Sequence, residues 1–356
     1  FIAVMVILAS CTKEGPAGPA GADGTNGQDG ADGADGQDGT AGCITCHDAD
    51  QTISLKEFQW QSSMHAAGTA LARSSNASCA GCHSEQGFFQ TDGNNPETAD
   101  TWEGVNDPML LTCFTCHPVH ETYTYDDVVA LNFPDQPNWA VTYDKTVDVD
   151  FGKGNTCAHC HQSRTRDPVV DMNDLSIMYS GISTHYGPHY SSQANLMGSF
   201  GAYEIPGSAS YTAENYHLNA DNTCVSCHMG FSSANTTGGH NMHIDAGSDL
   251  EAACAQCHSS GADAESKYEE YYHDVFATID HGDDGNTLNT TSYYTMLGDL
   301  LADFGVYTKV VDSLDGEPVD VHYNINGGLE INGTLTAAMF NHRFLYQDHS
   351  HGMHNP

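Results

Sequence analysis

The sequence predicts a mainly α-helical protein with much irregular loop, a small β element near 306–333, and an interior built around covalently attached cofactors. Three observations predict it. Cys-x-x-Cys-His occurs six times and takes twelve of the thirteen cysteines. The repeats start 30 to 67 residues apart, each interval too short to enclose an ordinary apolar core. Between them lie turn-rich segments such as Asp92-Gly-Asn-Asn-Pro96 and Asn132-Phe-Pro-Asp-Gln-Pro-Asn138, which argue loop.

The motifs run Cys43-Ile-Thr-Cys46-His47, Cys79-Ala-Gly-Cys82-His83, Cys113-Phe-Thr-Cys116-His117, Cys157-Ala-His-Cys160-His161, Cys224-Val-Ser-Cys227-His228 and Cys254-Ala-Gln-Cys257-His258. Each is the attachment signature of a c-type haem. Two thiols add across the porphyrin vinyl groups, and the histidine on the same short tether gives iron an axial nitrogen. A zinc site needs paired cysteines but has no reason to place histidine directly after every second one. A disulfide framework does not require the repeated spacing either. The expectation is therefore six haem c, with thioether bonds at the twelve motif cysteines and proximal iron ligands His47, His83, His117, His161, His228 and His258. Residues 43–258 form the hexahaem-binding region, a multihaem cytochrome c fold organised around six packed haems.

Composition narrows the partners. With 47 acidic and 10 basic side chains the formal charge is −37, and haem propionates add to it. Such a field disfavours nucleic acid and anionic membrane surfaces, and favours cationic redox partners, metal ions or positively charged minerals. The competing reading is that acidity serves only solubility.

Residues 1–10 read as the remnant of a secretory signal whose basic start is missing: Phe1 to Ala9 are apolar and too short to span a bilayer. Leu8-Ala9-Ser10-Cys11 resembles a bacterial lipoprotein signal, which makes Cys11, the one cysteine outside the motifs, a lipidation site. Thr12 after it is compatible with sorting to the outer membrane. From Gly15 to Gly42 glycine fills every third position, the collagen period. Only glycine fits the axis of a triple helix, so the register argues a homotrimer. Two prolines and five aspartates in that tract argue instead a solvated, self-repelling spacer. In either reading, residues 11–42 lift the haem body from a lipid anchor.

After His258 the texture changes. Residues 259–356 form a helical segment expected to pack on the haem region and supply one distal histidine. Tyr268, Tyr271, Tyr272, Val275, Phe276 and Ile279 recur at helical spacing, as do Leu297, Leu300, Leu301 and Phe304. Residues 306–333 read as short strands with turns at Asp315-Gly316 and Gly327-Gly328. A last helix, about 334–349, gathers Leu335, Met339, His342 and Tyr346.

Six proximal histidines leave fifteen of the twenty-one for six distal positions. Bis-histidine ligation makes the irons six-coordinate and lower in potential than His/Met ligation, for which eleven methionines remain as an alternative supply. The distal candidates are His65, His120, His189, His217, His240 and His354. His120 follows His117 by three residues, too short a step to place both rings on one iron, so it is assigned to a neighbouring haem. His189 is preferred over His185, and His240 over His243. His159, inside the fourth motif, reads as an exposed spacer, and His273, His281, His322 and His342 lack any such context.

These pieces resemble the multihaem c-type cytochromes related to cytochrome c554 and the ammonia-forming nitrite reductase. Trp60-Gln-Ser-Ser-Met-His65 is similar to the Trp-x-x-Ser-x-His segment of the cytochrome c554 group. Cys113-Phe-Thr-Cys-His-Pro-Val-His120 resembles a Cys-His-Asp-Pro-His variant of outer-surface cytochromes. Gly352-Met-His354-Asn-Pro356 is similar to a Gly-x-His-Asn-Pro element that supplies a late distal ligand. In those relatives the chain continues past Asn-Pro, so the sequence reads as cut at both ends. The catalytic Cys-x-x-Cys-Lys of nitrite reductases is absent, since all six motifs end in histidine.

The expected function is electron transfer without substrate turnover: an extracytoplasmic, outer-membrane-anchored hexahaem protein facing the periplasm or the cell surface. It passes electrons to a partner cytochrome or an extracellular acceptor. Two alternatives stand beside it. One is a reductase acting on a small nitrogen or sulfur oxyanion at a five-coordinate haem, and the other a subunit of a trimeric or filamentous cytochrome assembly.

Overall fold

In the computed structural model the described residues are 47, 52–68, 70–93, 104–135, 149–163, 167–190, 192–207, 215–230, 239–244, 293–314 and 317–347. All belong to the unit Ala41–Pro356.

Short helices dominate as far as residue 244. Helix α1, Thr52–Gln61, and the single turn α2, Met64–Ala67, precede α3, Ala77–His83, and α4, Glu85–Gln90. Serine and asparagine start these elements by accepting the first free backbone amides. Ser63 caps Ala66 N at 3.2 Å, Asn76 caps Ser78 N at 3.0 Å, and Ser84 caps Gly87 N at 3.1 Å. Single turns follow at α5, Cys113–Cys116, α6, Asp126–Val129, α7, Asn155–Ala158, α8, Gln193–Met197, and α9, Cys224–His228.

Four motifs lie on or begin in such turns, and the spacing explains why. In one helical turn, residues i, i+3 and i+4 share a face, so both thiols and the histidine of Cys-x-x-Cys-His point the same way. The closing bonds run from His117 N to Cys113 O and from His161 N to Cys157 O, each 2.9 Å. Thr112 and Thr115 cap the third motif reciprocally.

The carboxyl-terminal part is ordinary protein architecture. Helix α10, Tyr293–Asp303, leads into an antiparallel pair of β2, Tyr307–Leu314, and β3, Glu317–Ile325; the turn expected at Asp315-Gly316 lies outside the described residues. A turn at Gly327-Gly328 leads to β4, Glu330–Asn332, and then to α11, Gly333–Gln347. Strand β4 pairs antiparallel with β1, Met178–Ser180, a strand from between the fourth and fifth motifs. That pairing ties the two parts of the chain together. Leu301, Val306, Met339 and Phe340 are fully buried in the clusters these elements enclose. A smaller cluster of Val149, Phe151, Ala158, Ala194 and Met197 underlies the fourth motif. The helix expected at 268–279 lies outside the described residues.

Candidate haem-iron centres

Four motif histidines face a histidine from elsewhere in the chain. Ring centroids are 6.1 Å apart for His47 and His120, 5.8 Å for His161 and His65, 6.5 Å for His83 and His189, and 6.1 Å for His117 and His240. A ring nitrogen sits about 2 Å from a bound transition metal and roughly 1 Å from its own ring centre, so two imidazoles sharing one ion have centroids about 6 Å apart. Both ring planes contain the metal axis, which leaves the angle between them free. The interplanar angles of 32° to 84° are compatible with that geometry.

The other ring nitrogen is the second test. A ligating imidazole ordinarily donates its remaining N–H to an oxygen that fixes tautomer and orientation. His117 Nδ1 lies 2.7 Å from Ala130 O, His161 Nδ1 3.1 Å from Gln193 Oε1, and His189 Nδ1 2.9 Å from Tyr190 O. In the fifth motif His228 Nδ1 lies 2.9 Å from Met242 O. A carbonyl oxygen can only accept, so Nδ1 carries the proton and Nε2 keeps its lone pair for a metal. Burial pushes the pKa of His65 down to about 4, with His161 and His228 adding to the effect. Burial does the same to His240, also to about 4, helped by Lys56 and His117. These rings are neutral at pH 7, the state in which imidazole binds a metal.

The partners are positioned by recognisable local devices. Trp60 stacks flat on His65, centroids 5.8 Å apart and planes 2° apart, while Ser63 caps the turn that carries it. Those contacts give Trp-x-x-Ser-x-His a physical sense. His120 and His189 both have a positive φ, 68° and 78°, a region non-glycine residues seldom enter and one that is common at functional sites. Tyr123 stacks on His120, and Asp127 holds that loop through the amides of Thr122 and Tyr123, each at 2.9 Å. Buried Gln59 accepts from His240 N at 3.3 Å, joining α1 to the His240 turn.

Motifs also meet one another. The side chains of Cys82 and Cys160 lie beside one another, as do those of Cys157 and Cys224. These contacts, and then burial, hold Cys157 and Cys160 well above the usual thiol pKa. Burial pushes Cys116 up to about 11. Asn132 donates to Phe114 O at 2.6 Å, and its own carbonyl accepts from Thr156 at 2.6 Å, bridging the third and fourth motifs. Apolar side chains stand open around these sites: Phe58 and Met64 beside His65 are 56 % and 69 % exposed. Among the described residues no group of three or more His, Cys, Asp or Glu is placed to hold a metal ion. Two imidazoles per centre suit a cofactor that brings its own in-plane nitrogens and an apolar face to cover such side chains.

One expectation is corrected. His159 is not an exposed spacer: it is 1 % exposed, wedged edge-on against Phe88 and Phe133, with Nε2 3.2 Å from Phe133 O. His217 is half-buried in the single turn Tyr216–Asn219, where Asn215 caps its amide at 2.9 Å. Cys11, Cys43, Cys46, Cys254, Cys257, His258 and His354 lie outside the described residues. Sequence reasoning missed Gln193, Asn132 and Gln59, whose roles are tertiary and leave no local signal. Comparison of the chain with protein-family models, curated proteins and solved structures finds no match.

Proposed function

We propose that the chain is an extracytoplasmic hexahaem c-type cytochrome that carries electrons along bis-histidine haems to a partner cytochrome or an extracellular acceptor. One observation carries the reading: four motif histidines each stand 5.8 to 6.5 Å from a histidine of another segment, the spacing of two imidazoles on one metal.

When bound, the haems supply the one-electron carriers. The chain's own residues do the rest. The motif thiols would tether each cofactor, and the four histidine pairs would each hold an iron from two sides, which would leave those four irons closed to a substrate. Ala130 O, Gln193 Oε1, Tyr190 O and Met242 O keep four of the rings in the tautomer that presents Nε2. Cys82 lies beside Cys160 and Cys157 beside Cys224, so the attachment points these residues would provide on the second, fourth and fifth motifs are adjacent, as transfer from centre to centre requires. The net charge of −37 steers cationic partners, with association that weakens as salt rises. Lipidation at Cys11 and the Gly-x-x tract belong to the same proposal as anchor and spacer, with a homotrimer or filament as the assembly the tract would permit.

Electron paramagnetic resonance of the fully oxidised protein tests it, together with a pyridine haemochrome count. Six haems per chain, all low-spin, are expected. A high-spin ferric signal equal to one haem would replace the carrier with an enzyme that keeps an open iron.

A further inference from the structure

Arg343 is a cation that the paired histidines do not use. It lies on α11 with its guanidinium over the rings of Tyr346, Tyr186 and Tyr190, at 4.7, 5.4 and 5.8 Å. Aromatic faces attract the charge but satisfy none of its N–H donors. Its Nε is buried and without a hydrogen-bond partner, and among the described residues no carboxylate is paired with it. In a chain with 47 acidic and 10 basic side chains, a half-buried arginine whose buried Nε has no partner and which has no acid beside it points to a carboxylate that the described residues do not supply.

Its surroundings say where such a carboxylate comes from. Tyr190, under the guanidinium, is edge-on to His189 with centroids 6.4 Å apart, and its carbonyl accepts from His189 Nδ1. His189 in turn faces His83 of the second motif. The guanidinium is thus one ring removed from an axial ligand, and a haem at that centre brings propionate carboxylates of the planar shape an arginine fork matches.

We propose that Arg343 binds a propionate of the haem held by His83 and His189, and so raises that one centre's reduction potential. The inference rests on the haem reading above. A fixed positive charge favours the reduced, more negative state, so its loss lowers the potential. Another source of the same chemistry is a small free anion such as acetate or nitrite.

The test is spectroelectrochemistry of the full-length holoprotein with Arg343→Gln and Arg343→Lys. A pyridine haemochrome count comes first: absence of haem from the wild type sinks the parent reading, not this one. With six haems present in Arg343→Gln, one of six potentials is expected to fall by about tenfold in its equilibrium constant, or ~59 mV. The charge-conserving Arg343→Lys recovers part of that shift, and serves as the comparison should the glutamine variant lose haem. His189→Met, which exchanges an axial ligand, raises the same component that Arg343→Gln lowers. Six unchanged potentials in either Arg343 variant, or a shift in a different component, overturn the proposal. A saturable response of the wild type to acetate or nitrite that Arg343→Gln abolishes also overturns it, and gives the guanidinium to a free anion.

Discussion

Residues 52–135 and residues 293–347 are built on opposite principles. In the first stretch the buried apolar side chains among the described residues are Ala80 and Phe88, and helices run four to ten residues. In the second, helices of eleven and fifteen residues pack with a hairpin around Leu301, Val306, Met339 and Phe340. The first stretch also leaves Phe58, Met64, Met109 and Phe114 about half exposed or more. A polypeptide of that kind cannot offset its conformational entropy from its own side chains. The difference teaches that the second stretch is a conventional core, while the first lacks one of its own and, on the proposed reading, would take its interior from the haems attached at its motifs.

The largest expected effect comes from removing a cofactor. On the proposed reading, replacing Cys157 and Cys160 by serine would take the fourth haem from the point where its motif meets the second and fifth. Hydrogen exchange is then expected to accelerate across residues 52–90 and 155–163 almost to the unfolded rate, a loss of about 5 kcal/mol or more. Residues 307–325 and 333–344 keep their protection. Equal loss in both regions would erase the contrast. A smaller effect comes from the other side. Phe340→Ala opens a cavity beside Tyr203 and Phe344 and is expected to cost about 3–5 kcal/mol in denaturant unfolding, with the haem count unchanged.

The smallest effect concerns one loop. The Thr122 hydroxyl, and then the amides of Thr122 and Tyr123, hold the Asp127 carboxyl below the usual carboxylate range. A lowered carboxyl pKa stabilises the fold fully above the unfolded value, near pH 4, and the contribution fades as pH falls through the folded value. In an acid titration followed by paramagnetic resonance, the His47–His120 centre of the wild type should persist below about pH 4. Asp127→Asn should weaken that centre at neutral pH and remove this group's acid step.

Local chemistry explains which elements could be read in advance. Asp315-Gly316 favours a tight turn, and the strands end at Leu314 and resume at Glu317 on either side of it. Leu335, Met339, His342 and Tyr346 share a helical face, and α11 spans them. The pairing of Met178–Ser180 with Glu330–Asn332 joins segments about 150 residues apart, and nothing local encodes it. The histidines show the same division. The three-residue step from His117 to His120 argues that His120 faces another ring, but that this ring is His47 is visible only in the fold. The burial of His159 is hidden from its local sequence for a related reason: Phe88 and Phe133, distant in sequence, close over it.

Anomalous scattering at the iron edge, from crystals of the holoprotein, tests the central claim most directly. An iron atom is predicted between the rings of each pair, His47 with His120, His65 with His161, His83 with His189 and His117 with His240. Zinc-edge scattering at the cysteine pairs, or irons bound to histidines paired otherwise, would contradict it.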